Sequence, residues 1–191
     1  MIVAFSTSSP VAGVALISED GSVIASAHTE ARMAASGACL RQLDQLLRER
    51  ALSIIDATLF AADLGPGSFT GVKVGVTLAK AFAFALGVPA SGAESFDLID
   101  ANATVAIPSK RGEFFLRPVG SDVVRVSELP QGPFVGYGPG VENPIYPSPE
   151  RFSLLLRDLR RVPAEALLPH HAVEPSISEP KRPFARRELG G

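Results

Sequence analysis

Only one cysteine, Cys39, occurs in the 191 residues, which excludes an intramolecular disulfide and points to a reducing compartment. Tryptophan is absent, and the three histidines, His28, His170 and His171, are too few and too scattered to build a zinc site of ordinary ligand spacing. Neither sign of charge prevails. Eighteen Lys and Arg against twenty Asp and Glu leave a net charge of -2, so no global basic field exists to capture RNA unaided. No apolar run is read as approaching the roughly 18 residues of a membrane span, and the first residues lack the basic start and apolar core of a signal peptide. These absences set the expectation of a soluble cytoplasmic protein without a membrane contact. Cys39, between Ala38 and Leu40 in a helical pattern, reads as a buried structural thiol.

What is present centres on residues 63–86. A short apolar run, Ala57-Thr58-Leu59-Phe60-Ala61-Ala62, has the length and flanks of a strand covered on both faces. It is followed by Gly65, Pro66, Gly67, Ser68, Phe69, Thr70 and Gly71, a loop whose glycines allow a sharp turn and would bring bare amides to the start of a helix. Such amides can hold an anion or a nucleotide phosphate. Two common phosphate motifs nevertheless fail here. Thr70 stands where a dinucleotide fingerprint needs its third glycine, and Gly71-Val72-Lys73 is not the Gly-Lys-Ser/Thr end of a P-loop.

The helix predicted from Thr70 to Leu86 repeats Gly71, Gly75, Ala79 and Ala83 at four-residue spacing, a ridge almost without side chains that another backbone can approach. Its only partly polar stripe is Lys73, Thr77, Lys80 and Phe84. So apolar a circumference must be covered on several sides, by its own sheet, by a neighbouring helix and, on the sharper reading, by a partner protein.

Elsewhere the order is simple. Strands are predicted at 2–5, 11–18 and 23–27, with Asp20-Gly21 as a hairpin turn, and an amphipathic helix follows with Leu40, Leu43 and Leu47 on one face and Ser36 near its cap. After Pro89, the short polar-apolar segment at 91–99 is expected to include the crossover to a second lobe. Strands are predicted at 104–107, 113–117, 123–126 and 134–137, and a helix starting at Ser148-Pro149-Glu150 should bury Phe152, Leu155, Leu156 and Leu159. Three antiparallel strands, a helix, a strand and a helix form the order of an RNase-H-like lobe. The chain divides into a complete first lobe at 1–97, a shortened second lobe at 98–169 and a Pro/Arg-rich tail at 170–191. The tail's Lys181, Arg182, Arg186 and Arg187 read as a solvated basic cluster, with contact to nucleic-acid phosphates as the sharper alternative.

Gly-Pro-Gly-Ser-Phe-Thr-Gly-Val-Lys-Val-Gly at 65–75 closely resembles the signature of the TsaB (YeaZ) family, with Leu86-Gly87-Val88-Pro89 and Lys110-Arg111-Gly112-Glu113-Phe114 agreeing in order and spacing. The resemblance implies an α/β fold of the actin, Hsp70 and sugar-kinase group. It also implies a role as a non-catalytic partner of TsaD, acting with TsaE in threonylcarbamoyl transfer to N6 of the adenine beside the tRNA anticodon, with tRNA met indirectly. The partner surface would comprise Leu40, Leu43 and Leu47 of the first helix and Lys73, Gly75, Val76, Thr77, Ala79, Lys80 and Phe84 of the second. No cofactor would be required, although ATP or ADP could be held weakly at the loop or at the partner interface. Departures from the family pattern weigh against enzyme chemistry. Ser6-Thr7 replaces the usual Asp-Thr, Pro108 stands where relatives often carry Asp, and Arg32, four residues after His28, excludes the paired metal histidines of TsaD-type chains. Asp63 and Glu113 are the acids left near the cleft, and each reads first as a cap or a surface charge. Two alternatives remain open: an ATP-dependent phosphotransferase or ATPase of the same superfamily, and a homodimeric, degenerate member without TsaD.

Overall fold

A computed structural model describes residues 1–30, 35–110 and 112–170. The chain forms β1 (Ile2–Ser6), β2 (Val11–Ile17), β3 (Val23–Glu30), α1 (Ala35–Glu49), β4 (Leu59–Asp63), α2 (Phe69–Leu86), β5 (Ala90–Ala93) and α3 (Ser95–Asp100). It continues with β6 (Val105–Pro108), β7 (Phe114–Arg117), β8 (Val124–Val126), β9 (Val135–Gly136) and α4 (Phe152–Leu155). Two sheets result. The first is ordered β3-β2-β1-β4-β5 and the second β8-β7-β6-β9.

In the first sheet β1 pairs antiparallel with β2 and parallel with β4, and β4 pairs parallel with β5. Both faces of this sheet are covered, which is why β1 and β4 read as continuous apolar runs. Alternation along each strand sorts the faces. Val3, Phe5 and Phe60 turn to the side of α1 and α2, where Leu43, Leu47, Val76, Ala79 and Ala83 complete the core. Phe82 stacks there on Phe5 and Phe60, with ring centroids 6.2 and 5.4 Å apart. Ile2, Ala4, Leu59 and Ala61 turn the other way, onto Leu98 and Phe152. Removing a side chain such as Phe60 from water stabilises the fold by roughly 1.5–3 kcal/mol.

α2 begins at Ser68, whose hydroxyl accepts from the Gly71 amide, and ends at Gly87, which takes the left-handed conformation expected of a glycine after a last turn. Against the expectation that no stretch approaches that length, α2 is long and apolar enough to span a membrane. Its packing explains the composition: Gly71, Val72, Gly75, Val76, Ala79 and Ala83 are buried within the lobe, so the apolar content serves a sheet-covering helix.

Several expectations are corrected. Leu40 does not share the buried face of α1, which comprises Ala38, Cys39, Leu43, Leu46 and Leu47; Leu40 is 43% exposed. Ser36 lies inside the first turn of α1 rather than before it. β3 runs on to Glu30, three residues past its predicted end. Residues 91–99, expected to include the crossover, hold most of β5 and α3. β5, Ala-Ser-Gly-Ala, has no β-branched residue and is fixed instead by its partners, β4 on one side and a bridge of Ala90 to Val162 on the other. Phe152, Ala164 and Leu167 pack on the first sheet, so the chain returns from the second sheet to the first lobe before it ends. The helix expected after Ser148 is broken into a 3-10 turn, Pro149–Arg151, and the single-turn α4, with Phe152 buried and Leu155, Leu156 and Leu159 packed beside it. Arg32, Arg111, His171 and the tail cations Lys181, Arg182, Arg186 and Arg187 lie outside the described residues.

One ion pair fastens that returning segment. His28 Nε2 on β3 lies 2.5 Å from Glu150 Oε1, and Ser148 donates to the other oxygen of the same carboxylate. The hydrogen bond to Glu150 raises the pKa of His28 against the opposing effect of burial. Burial raises the Glu150 pKa, but the hydrogen bonds from His28 and Ser148 outweigh it and bring it down to about 2. Stability from the raised histidine is complete below its ordinary 6.5 and is lost as pH rises through the folded value. Stability from the depressed carboxylate is complete above 4.5 and is lost as pH falls through about 2. The pair therefore stabilises most between pH 4.5 and 6.5. The difference in urea midpoint between the wild type and His28→Gln should peak in that window, at under about 1 kcal/mol for so exposed a pair. A difference unchanged from pH 5 to pH 9 would refute the coupling.

Candidate functional site

The parallel register Phe5↔Ala62 sets the C-terminal ends of β1 and β4 side by side, so the turn after Ser6 meets the loop after Asp63. Ser6, Thr7, Ser8 and Ser9 are polar yet buried. Their partners account for it. Thr7 Oγ1 donates to the Gly71 carbonyl at 2.6 Å, while the Ser6 and Ser8 hydroxyls lie 2.9 and 2.5 Å from Asp63 Oδ2. Ser95 Oγ and the Gly65 amide reach Asp63 Oδ1 at 2.5 and 2.9 Å. Burial of Asp63 raises its pKa, and these hydrogen bonds oppose the rise without cancelling it.

Several amides at and after the loop at 65–71 are paired within the chain. The Ser68 amide donates to the Ser8 carbonyl at 2.6 Å, that of Gly71 to Ser68 Oγ at 3.2 Å and that of Val72 to the Ser68 carbonyl at 2.8 Å. The turn at 6–9 lies against the loop. A Cβ on Gly67 would stand 2.3 Å from the Ser8 carbonyl oxygen, and one on Gly71 would stand 2.0 Å from that of Thr7. These glycines admit the chain's own backbone. Pro66, Ser68, Phe69 and Thr70 complete the loop; Lys73 Nζ sits 3.8 Å above the Phe69 ring, a cation–π contact at the start of α2.

Magnesium-dependent phosphate chemistry needs carboxylates in the cleft. The residues here do not fit that need: Ser6 offers a hydroxyl, Pro108 is a strand residue paired with Phe114, and Asp63 is enclosed by four donors. Glu113, the other candidate acid, pairs with Arg125 at 3.5 Å. His170 pairs with Glu94 at 2.6 Å on the rim of a groove of about 540 Å³ that Leu64, Asp97 and Asp158 also line. Among the described residues no three His, Cys, Asp or Glu side chains come together as a metal site.

The proposed partner surface divides in two. Leu43, Leu47, Gly75, Val76 and Ala79 are buried in the chain's own core and cannot face another protein. Their spacing was legible; the side to which they turn was not. Lys73, Thr77 and Phe84 are exposed, Lys80 is half-buried with Nζ donating to the Glu165 carbonyl, and Leu40 is exposed on α1. Ala81 and Ala85, which the spacing argument left out, join Thr77 and Phe84 on the outer face of α2. Phe84 is 80% exposed, the most exposed large apolar side chain among the described residues.

Similarity to known proteins matches this geometry. A family profile described as TsaD, tRNA N6-adenosine threonylcarbamoyltransferase, matches residues 27–112. The tRNA threonylcarbamoyladenosine biosynthesis protein TsaB of Bacillus subtilis (strain 168) is 37% identical over 101 residues, 53% of this chain and 44% of that protein. In sequence the chain is thus similar to TsaB over about half of its own length. An uncharacterized protein of Mycobacterium leprae (strain TN) is 33% identical over 110 residues, 56% of this chain and 30% of its own length. The chain thus spans less than half the length of the curated relatives it matches. YeaZ from Pseudomonas aeruginosa superposes with a TM-score of 0.71 at 20% identity, covering 89% of this chain and 98% of that one. A crystal structure of an uncharacterized protein with similarity to peptidase YEAZ from Pseudomonas aeruginosa reaches 0.74 at 18% identity, covering 90% and 99%. The TsaB-type fold is the RNase-H-like, actin-like α/β architecture expected from the order of elements, with its second sheet reduced to four short strands.

Proposed function

We propose that this chain is a non-catalytic cytoplasmic subunit that pairs with a TsaD-type transferase and supports threonylcarbamoyl transfer to N6 of the adenine beside the tRNA anticodon. The observation that carries the reading is the outer face of α2, where Thr77, Ala81, Phe84 and Ala85 stand exposed on the helix whose other side closes the core. Covering that face removes apolar area from water and favours association by roughly 25 cal/mol per Å² before the costs of ordering. Leu40 extends the apolar surface on α1.

The hydroxyl of Ser6 and the enclosure of Asp63 at the strand ends support assigning the chemistry to the partner. A net charge of -2 supports an indirect role toward tRNA. TsaE joins this proposal as a third component. A nucleotide, ATP or ADP, belongs on this reading at the partner interface, since the Ser68 and Gly71 amides of the loop are already paired. When TsaD is absent the same α2 face would form a homodimer.

Co-purification with the TsaD of the same genome, followed by light scattering, tests the proposal. A 1:1 complex is expected at micromolar concentration. A stable homodimer that ignores TsaD, or Mg²⁺-dependent ATP turnover by this chain alone, would favour the degenerate-homodimer or phosphotransferase reading instead.

A further inference from the structure

Asp63 ends β4 with no solvent exposure, and no cation faces it among the described residues. The groups around it come from every neighbouring element. Ser6 and Ser8 approach from β1 and its turn, the Gly65 amide from the loop, Ser95 from α3, and the Tyr137 phenol, itself buried and held neutral, from beyond β9. A carboxylate so placed would be a buried charge with hydroxyl and amide partners but no counter-charge, at a cost of several kcal/mol.

Counting protons identifies which form the geometry accommodates. Ser6 Oγ lies 2.9 Å from Asp63 Oδ2 and 3.1 Å from the Pro147 carbonyl oxygen, and it owns one proton. A carbonyl oxygen can only accept, whereas a carboxyl oxygen can donate when protonated, so both contacts are met in full only if the Ser6 proton goes to Pro147. The Ser6–Asp63 contact then needs a proton from Asp63. Ser8 spends its own on Oδ2, while Ser95 and the Gly65 amide spend theirs on Oδ1. With one proton on Oδ2 only the 3.1 Å contact between Ser95 Oγ and Ser8 Oγ lacks a donor of its own; with none, Ser6 must in addition divide a single proton between two acceptors.

The geometry points to Asp63 as a neutral carboxylic acid at neutral pH, donating from Oδ2 to Ser6 so that Ser6 donates to Pro147 and latches the returning segment of the chain to β1. The latch is strengthened by its surroundings. Just beyond Pro147 the Ser148 amide donates to the Leu98 carbonyl, Glu150 holds His28, and Phe152 enters the core of the first sheet. Ionisation of Asp63 would claim the Ser6 proton and release Pro147. A carboxyl whose folded pKa lies above its unfolded 3.8 contributes stability that is complete below 3.8 and is lost as pH rises through the folded value. Alkaline pH should therefore loosen this latch.

Infrared spectroscopy on the whole protein, with ¹³C-labelled aspartate, reads the proton directly. The expected result at pH 7 is a protonated-carboxyl carbonyl band in the wild type that is missing from Asp63→Asn. Asparagine offers an amide N–H where the acid offers O–H, so from pH 6 to pH 9 the urea midpoint of Asp63→Asn should lose only the contribution of the His28–Glu150 pair, while that of the wild type falls further. A wild-type spectrum without the band at pH 7 overturns the inference whether or not the variant folds. So does a band that persists in Asp63→Asn.

Discussion

Gly71→Ala should destabilise the protein by about 3 kcal/mol or more, enough to leave a large unfolded fraction in a protein of ordinary stability. The same change in an open helix interior stabilises by roughly 0.5–1 kcal/mol, because alanine loses less backbone freedom than glycine. What reverses the sign is the Thr7 backbone: a Cβ at position 71 would stand 2.0 Å from its carbonyl oxygen and 3.0 Å from its carbonyl carbon. No rotamer relieves a collision between two backbones. The start of α2 would have to withdraw from the turn at 6–9, breaking the bond from Thr7 Oγ1 to the Gly71 carbonyl and that from the Ser68 amide to Ser8. Gly37→Ala supplies the contrast, since its Cβ would meet only the end of the Arg41 side chain, at 3.3 Å. That variant should be neutral or more stable. Urea unfolding of both variants decides the matter, and a Gly71→Ala protein within about 1 kcal/mol of the wild type would mean that the turn does not hold the helix start as described.

The glycine and alanine ridge on α2 was legible in the sequence because four-residue spacing has one structural meaning on a helix. Its partner was not, because spacing says that a backbone comes close and not which one; it is the β1 turn. The strands of the first sheet were readable from apolar runs, and β5 was missed because Ala-Ser-Gly-Ala carries no strand preference and owes its conformation to β4 and Val162. Leu40, Leu43 and Leu47 share a helical stripe, yet the sheet lies toward Leu46 and Leu47, which leaves Leu40 outside. Asp63 illustrates a further limit. A single acid after a strand reads as a cap or surface charge, and its donors Ser6, Ser8 and Ser95 are brought to it from 57, 55 and 32 residues away. Serines in a turn are ordinarily wet; here the fold dries them by closing α2 and the returning segment over the strand ends.

Phe84→Glu should abolish the complex with TsaD while leaving the isolated chain as stable as before. In the free protein the ring is 80% exposed, so replacing it removes little packing, and surface substitutions of this kind usually change stability by less than about 0.5 kcal/mol. In a complex the situation inverts. An aromatic ring at the centre of an apolar interface contributes about 2 kcal/mol or more, and a carboxylate left there without a partner adds a desolvation cost, so affinity should fall about 100-fold or further. Gly75→Leu would not give so clean an answer, because its side chain would begin 2.7 Å from Thr7 Oγ1 and disturb the lobe itself. Thermal unfolding and light scattering on Phe84→Glu separate the two effects: an unchanged midpoint with loss of the heterodimer places the partner on this face of α2. A heterodimer weakened less than about threefold would remove that face from the interface, since no route is open by which a buried unpaired charge costs so little.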